Sequence, residues 1–275
     1  MKKFKIKPFD IFIFLILSFF ALIFILPFLY AIYTSFKELK DVNSIVGLDR
    51  LSFDNYIMFF TNPLYMVPRW LWNSSLMTAI ILAGNIIINT MAGYALAKLN
   101  FPGKNIVFFI VVATMMIPYH MILIPVYVNM ARLGWLNTML ALTIPYLYQC
   151  IYVFLMRQFF MSVPNELLEA ARIDGLTKAG AFFRIVMPLA KSGLITMIIL
   201  SFTGTWNSFL IPSTMISRRE MYVLIVGLNS VKNQFFERTN IIMAGVVLVT
   251  IPVIIMFMLF QKQYVEGVAT SGIKG

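Results

Sequence analysis

The stretch QFFMSVPNELLEAARIDGLTKAGAFFRIVMPLAKS, Gln158 to Ser192, governs how the rest of the chain is read. It is polar and sits between long apolar blocks. Ser162-Val163-Pro164 reads as a helix start, because proline is tolerated in a first turn. Glu166 then stands where the helix dipole favours an acid. Leu167, Leu168, Ala170 and Ala171 supply an apolar side, and the alanines allow another backbone to approach. Glu169 and Arg172, three apart, can pair on the solvated side. Gly175 can take the left-handed geometry that ends a helix. Thr177 can cap a second short helix with Phe182, Phe183 and Val186 on or near one face, stopped by Pro188. The result is a helix–glycine–helix elbow. Such an elbow can pass displacement from a soluble domain to the spans on either side. The same residues also suit an amphipathic loop lying on lipid, and spacing alone leaves both readings open.

Six apolar stretches surround this loop: Ile11–Ser35, about 71–96, about 106–128, about 138–156, 193 to about 211, and about 239–260. Each approaches or exceeds the roughly 20 residues that cross a bilayer. Of the 275 residues 60% are hydrophobic and 12% charged, against about 25% charged in a soluble domain. Mean hydropathy is +0.86. A soluble protein with buried helices would need far more polar surface. The expected class is an all-α polytopic membrane protein with six transmembrane helices, in one domain over residues 1–275. Its core spans fill about 71–260, and external segments lie at about 36–70, 129–137 and 212–238. The basic start, Met1 to Lys7, resembles a signal peptide, but the run behind it is too long and has no clear small-residue cleavage pattern. It reads as a retained first span.

Details along the chain sharpen this outline. Pro27 sits in span one and Pro252 in span six. Ser52 is a possible cap for a short surface helix near Leu51–Tyr56. Lys37, Lys40, Arg50 and Arg69 are partly balanced by Glu38, Asp41, Asp49 and Asp54. Trp70 and Trp72 suit an interfacial belt. Pro102-Gly103 is a turn signal. Pro118 and Pro125 interrupt span three, whose freed carbonyls need other partners. Arg157 marks the inner boundary of span four, and Gln261–Gly275 reads as a short polar tail.

Asn85 and Asn89 lie four apart and share one face of span two. An amide facing lipid is unfavourable, so this face turns into the bundle or a pore. Gluing helices together and lining a path are both open. Tyr146 and Gln149 in span four, and Thr205 and Asn207 in span five, are further path candidates by polarity and depth.

Six spans put both termini on one side. With that side cytoplasmic, internal segments hold 13 of the 22 basic residues, as the positive-inside rule prefers. The net charge of +11 therefore flanks spans, and no nucleic-acid partner is implied. The one His, His120, excludes a multi-histidine metal site. The one Cys, Cys150, cannot form an intrachain disulfide and reads as a small buried apolar residue. The sequence has no G-x-x-x-x-G-K-[ST] phosphate loop. It also has no buried acidic pair and no span-centre Lys or Arg, which argues against an ion-driven secondary transporter. A six-span chain with a docking loop and no energy source implies a separate energising subunit.

Glu169-Ala170-Ala171, Gly175 and Ile185-Val186-Met187-Pro188 resemble the EAA loop of permease subunits in ATP-binding-cassette (ABC) importers. Tyr94-Ala95-Leu96-Ala97-Lys98-Leu99, Phe101-Pro102-Gly103, Leu136-Asn137-Thr138, Ile144-Pro145-Tyr146, Trp206-Asn207-Ser208-Phe209-Leu210 and the ending Gly272-Ile273-Lys274-Gly275 are similar to the second permease of maltose-type carbohydrate importers, the MalG-like family. The resemblance implies a type I importer permease (MetI-like) fold with cytoplasmic coupling helices, in a bacterial or archaeal cytoplasmic membrane. It implies a MalF-like second permease, two ABC ATPase subunits and an extracellular or periplasmic solute-binding protein as partners, in contact with membrane lipid. It implies no cofactor on this chain, with ATP and Mg on the ATPase subunits. ATPase coupling would rest on Glu169, Ala170, Ala171, Asp174, Gly175, Phe182, Pro188 and Lys274. The solute would be a sugar or oligosaccharide; glycerol phosphate or a polyamine is the alternative on the same fold. Ser208 stands where relatives commonly have Asp, and Lys98 where Arg is common.

Overall fold

The computed structural model describes residues 8–63, 65–232 and 238–272. Helices dominate. Helix α1, Pro8–Ser35, has 28 residues. At 1.5 Å per residue it is about 42 Å long, more than a hydrocarbon core. It is apolar all round, and its large side chains stand exposed, with Phe24 at 70%. Only Ala31, Thr34 and Ser35, near its end, are buried. A helix with no polar face suits a hydrocarbon solvent.

Helix α2 is Asp54–Thr61. It starts later than expected, and Ser52 lies before its first turn, where its Oγ accepts from the Asp54 N–H at 3.4 Å. Helix α3, Val67–Lys98, is continuous over 32 residues. Within it Asn85–Asn89 forms one π turn. Helices α4 (Lys104–Met115) and α5 (Tyr119–Arg132) follow, bent by 99°. The expected third span is thus broken at Pro118, which takes an extended conformation before α5; Pro125 sits inside α5 without ending it. Helices α6 (Met139–Tyr146) and α7 (Cys150–Met161) are bent by 40°. Helix α7 runs past Arg157, which lies inside it rather than at its boundary. The guanidinium lies 3.7 Å from the centre of the Phe108 ring, and Nε donates to the Leu96 carbonyl at 3.3 Å.

Helix α8, Asn165–Ile173, is the first arm of the elbow. Helix α9, Lys178–Leu189, is the second, and it meets α10, Lys191–Trp206, at 80°. Pro188 does not stop α9; the break falls at Ala190. Helix α10 ends at Trp206 rather than near Ile211, since Asn207-Ser208 compete for the backbone. Two short helices, α11 (Leu210–Met215) and α12 (Leu224–Lys232), occupy the segment read as an external loop. Helix α13 spans Thr239–Gly272. The expected polar tail is therefore helical through Gly272, consistent with its Gln, Lys, Glu and Ala content. Among the described residues three helices are long and apolar enough to cross a membrane, and up to six spans result if each bent pair counts as one.

Two compact units divide the chain. The first comprises Met1–Met66 with Leu228–Ile251. Beside buried apolar residues such as Phe59 and Ile241 it holds a buried polar network. Asn55 Nδ2 donates to the carbonyls of Ser35 (2.8 Å) and Lys37 (2.9 Å). Asn240 Nδ2 donates to Lys37 O at 3.1 Å and Asn55 Oδ1 at 3.0 Å. Arg50 pairs with Asp41 at 2.7 Å and Lys40 with Glu38 at 2.7 Å. Lys37 is buried, and no acid pairs with it among the described residues: Nζ donates to Ser44 O at 2.7 Å and lies 3.9 Å from the centre of the Tyr33 ring.

The second unit comprises Val67–Gly227 with Pro252–Gly275. One apolar cluster gathers Met77, Ile81, Leu142, Tyr146, Met215 and Val223. Another gathers Tyr94, Met156, Phe160, Val163, Phe182 and Val186. Helix α3 contributes to both. Trp70 is fully buried rather than interfacial. Its Nε1 donates to the Arg219 carbonyl at 2.8 Å. Trp72 is exposed.

Candidate functional site

Two groups of side chains in the second unit stand out. The first lines a cavity of about 280 Å³. Asn85 comes from the π turn of α3, Tyr146 from the end of α6, Gln149 from the break before α7, and Thr205 from the last turn of α10. Tyr119, Tyr152, Gly204 and Ser208 complete its polar wall, with Met77, Ile81 and Leu142 beside them. The bends at Pro118 and at residues 147–149 are what bring Tyr119 and Gln149 to the same space. A helix break lets a backbone turn inward, and the polar side chains there meet one another instead of lipid.

The amide network behind this wall is dense. Asn85 and Asn89 are almost wholly buried, at 1% and 0% exposure. Asn89 Nδ2 donates to Asn85 Oδ1 at 2.8 Å, and Asn89 Oδ1 accepts from the Gln149 N–H at 3.1 Å. Asn85 Nδ2 lies 2.7 Å from Ser201 Oγ. With its amide exchanged, Asn85 donates to the carbonyls of Tyr146 (3.1 Å) and Leu147 (3.0 Å) and accepts from Ser201. In either orientation Asn85 joins α3 to α10. Tyr119 and Tyr146 share a hydroxyl–hydroxyl hydrogen bond. The π turn widens the helix where these amides emerge, a distortion frequent at functional positions.

Of the six path candidates, Asn85, Tyr146, Gln149 and Thr205 line the cavity. Asn89 stands behind them, and Asn207, at the exposed end of α10, is not among the lining residues. Tyr119, Tyr152 and Ser201 were not singled out from the sequence, and Ser208 was noted there only as a departure from the family pattern, not as a path residue. A periodic signal existed for two of them: Ser201, Thr205 and Ser208 are spaced four and three apart, the repeat of one helix face. Tyr119 had none, because only the fold of the broken span brings it to Tyr146.

The second group is the elbow. Helix α8 ends at Ile173, and Gly175 has φ +81°. The Leu176 N–H donates to Ala171 O at 2.9 Å and the Gly175 N–H to Arg172 O at 3.1 Å. These paired bonds are a Schellman ending. The Gly180 N–H donates to Thr177 Oγ1 at 3.1 Å, capping α9. Glu169, Ala170 and Asp174 are exposed, as is Pro188, while Ala171 and Phe182 are buried. Phe182 packs 4.9 Å from Tyr94 and 6.1 Å from Phe160, ring centre to ring centre. No ion pair joins Glu169 to Arg172, so both charged ends are open to solvent. The elbow thus presents an exposed acid–alanine edge and roots its far side in the apolar cluster. Lys274 lies outside the described residues.

Residues 89–269 match the family described as "Binding-protein-dependent transport system inner membrane component". The chain belongs to this family. This inner-membrane component is 34% identical over 264 residues to the arabinooligosaccharides transport system permease protein AraQ of Halalkalibacterium halodurans, covering 94% of each chain. It is 34% identical over 203 residues to the sn-glycerol-3-phosphate transport system permease protein UgpE of Yersinia enterocolitica, covering 73% of this chain and 72% of that one. Its fold matches a crystal structure of a bacterial ABC transporter involved in the import of the acidic polysaccharide alginate. The TM-score is 0.82 at 25% identity, over 93% of this chain and 96% of that chain. The binding-protein-dependent component is therefore a multi-pass ABC transporter permease, a transport subunit rather than a catalytic enzyme. It belongs to a multi-subunit import system.

Proposed function

We propose that this chain forms half of the translocation path of an ATP-driven importer for an uncharged sugar or oligosaccharide. The observation that carries the reading is the chemistry of the cavity. Its polar wall is made of amides and hydroxyls, Asn85, Tyr119, Tyr146, Gln149, Tyr152, Thr205 and Ser208, and no charged side chain among the described residues lines it. Hydroxyl-rich solutes need such partners beside aromatic faces. A phosphate favours Arg or Lys, and a polyamine favours acids. The AraQ relative, matched over 94% of both chains, supports the same direction.

In this reading the elbow is the ATPase-docking element. Glu169, Ala170 and Asp174 present the exposed edge to a soluble ATPase. Gly175 permits the bend, Ala171 and Phe182 hold the elbow's shape against the bundle, and the exposed Pro188 belongs to the same coupling element. Both termini and the elbow lie on the cytoplasmic side. A MalF-like permease completes the path, two ATPase subunits hold ATP and Mg, and a solute-binding protein delivers the sugar from outside.

A glycerol-phosphate solute is the second reading, favoured by the similarity to UgpE. Affinity purification from native membranes with mass spectrometry of the co-purifying chains tests the assembly. A second permease and a P-loop ATPase are expected. Uptake by the recovered complex in vesicles, with arabinotriose and glycerol 3-phosphate compared, separates the two solutes. Recovery of a lone chain that still transports would overturn the ATP-coupled reading.

A further inference from the structure

We propose that Lys98 and Tyr94 form the joint through which the elbow moves helix α3. They are thus positioning residues for transport. This rests on the reading of α8 and α9 as the ATPase-docking elbow. Helix α3 ends at Lys98. There Lys98 Nζ donates to Val163 O at 2.5 Å and to Asn165 Oδ1 at 2.7 Å. Those acceptors sit just before α8 and on its first residue. One turn back, the Tyr94 hydroxyl donates to Lys178 O at 3.2 Å, on the first residue of α9. Its ring packs on Phe182 of the same arm. Lys98 and Tyr94 are four apart and share a helix face. One face of one helix thus holds both arms of the elbow, on either side of the Gly175 hinge.

The consequence lies further up the same helix. Asn85 stands thirteen residues before Lys98, about 20 Å along the axis at helical rise. It lines the cavity and bonds α10 through Ser201. A helix gripped at one end and carrying the cavity's amides nearer its middle can turn a displacement of the elbow into a displacement of the wall. The chain also offers the elbow direct routes, since α7 leads into α8 and α9 into α10. The joint adds a third route that does not follow the chain. If Lys98 only staples the loop in place, its loss should leave the cavity's response to nucleotide unchanged.

The test uses the assembled importer, with Cys150→Ser and a reporter Thr205→Cys in the cavity wall. Maleimide labelling of the reporter is timed without nucleotide and with vanadate-trapped Mg-ATP. In the Lys98 chain the labelling rate should change by about tenfold between the two states, within the usual span of coupled sites. Lys98→Met should retain co-purification of the partner subunits but shrink that ratio to about twofold or less. Lys98→Arg, which keeps the charge and the donors, should restore it. If Lys98→Met keeps the full ratio, the joint is overturned. Should Lys98→Met fail to assemble, Asn165→Ala, at the exposed first residue of α8, is decisive. A fall of about threefold supports the joint, and an unchanged ratio overturns it. Gly175→Pro in the Lys98 chain separates the underlying reading: if the nucleotide response survives that change, the elbow itself is not the coupling element. A failure confined to the Lys98 and Asn165 variants leaves the elbow standing.

Discussion

Gly93 of α3 lies against Met156 of α7 so closely that a Cβ on the glycine would stand 2.9 Å from the methionine Cβ and 3.0 Å from the Arg157 nitrogen. The two helices meet backbone to backbone here. Because one neighbour is main chain, no rotamer change can make room. Gly93→Ala is expected to destabilise the fold by about 1–3 kcal/mol, the usual cost of overpacking. A lowered thermal midpoint of the detergent-solubilised chain checks it, with exposed Ala170→Ser as a neutral control.

Gly175 presents the opposite case. A Cβ there would meet nothing within 4 Å, but φ is +81°. Gly175→Ala should therefore cost only the left-handed backbone penalty, about 1–2 kcal/mol, felt locally at the end of α8. Gly175→Pro cannot adopt that φ and should abolish coupling while leaving membrane insertion intact. Uptake and ATPase activity of the assembled importer, measured side by side, report the split.

The buried bond between Asn85 and Ser201 predicts non-additive behaviour. Asn85→Leu leaves buried polar partners unsatisfied, at about 1–3 kcal/mol. Ser201→Ala removes one of those partners. The double variant should lose less stability than the two single losses together, by about 0.5–3 kcal/mol. A chemical-denaturation cycle over the four chains measures this. Additive losses would show that the two side chains act independently.

Trp70 and Gly227 form a second such pair. A Cβ on Gly227 would stand 2.2 Å from the Trp70 ring. Gly227→Ala should destabilise by about 1–3 kcal/mol, and Trp70→Leu should relieve part of that clash even though it forfeits the indole bond to Arg219. Thermal unfolding of the single and double variants gives the sign of the interaction.

Much of the helical framework was legible from runs of apolar residues, because a bilayer demands length and low charge and little else. The elbow was legible for another reason: Gly175, Thr177 and Glu166 each carry a local backbone preference that needs no partner. The half-spans were not. Nothing in residues 106–128 says that Pro118 breaks the helix and Pro125 does not, since both prolines free backbone groups and only the surrounding packing chooses. Trp70 shows the same limit. An indole at a span's edge fits a headgroup belt, and its burial depends on Arg219 and Gly227, far along the chain. Lys37 and Lys98 looked like charges for water or lipid surface. Each instead donates to main-chain carbonyls, partners that carry no sequence signature.

The exposed, all-round apolar character of α1 bears on how the protein is made. Over most of its length it gains little from side chains of its own chain, so the free energy that holds it comes from leaving water. It can therefore settle in the bilayer while the ribosome is still building everything after Ser35. Targeting and tertiary assembly become separable events: the first helix needs only a membrane, whereas the short, bent segments around the cavity need one another. Replacing α1 with an unrelated apolar helix ending in Ala31, Thr34 and Ser35 should leave biogenesis intact, and lesions in the bent segments should surface later, as chains that are inserted but unassembled.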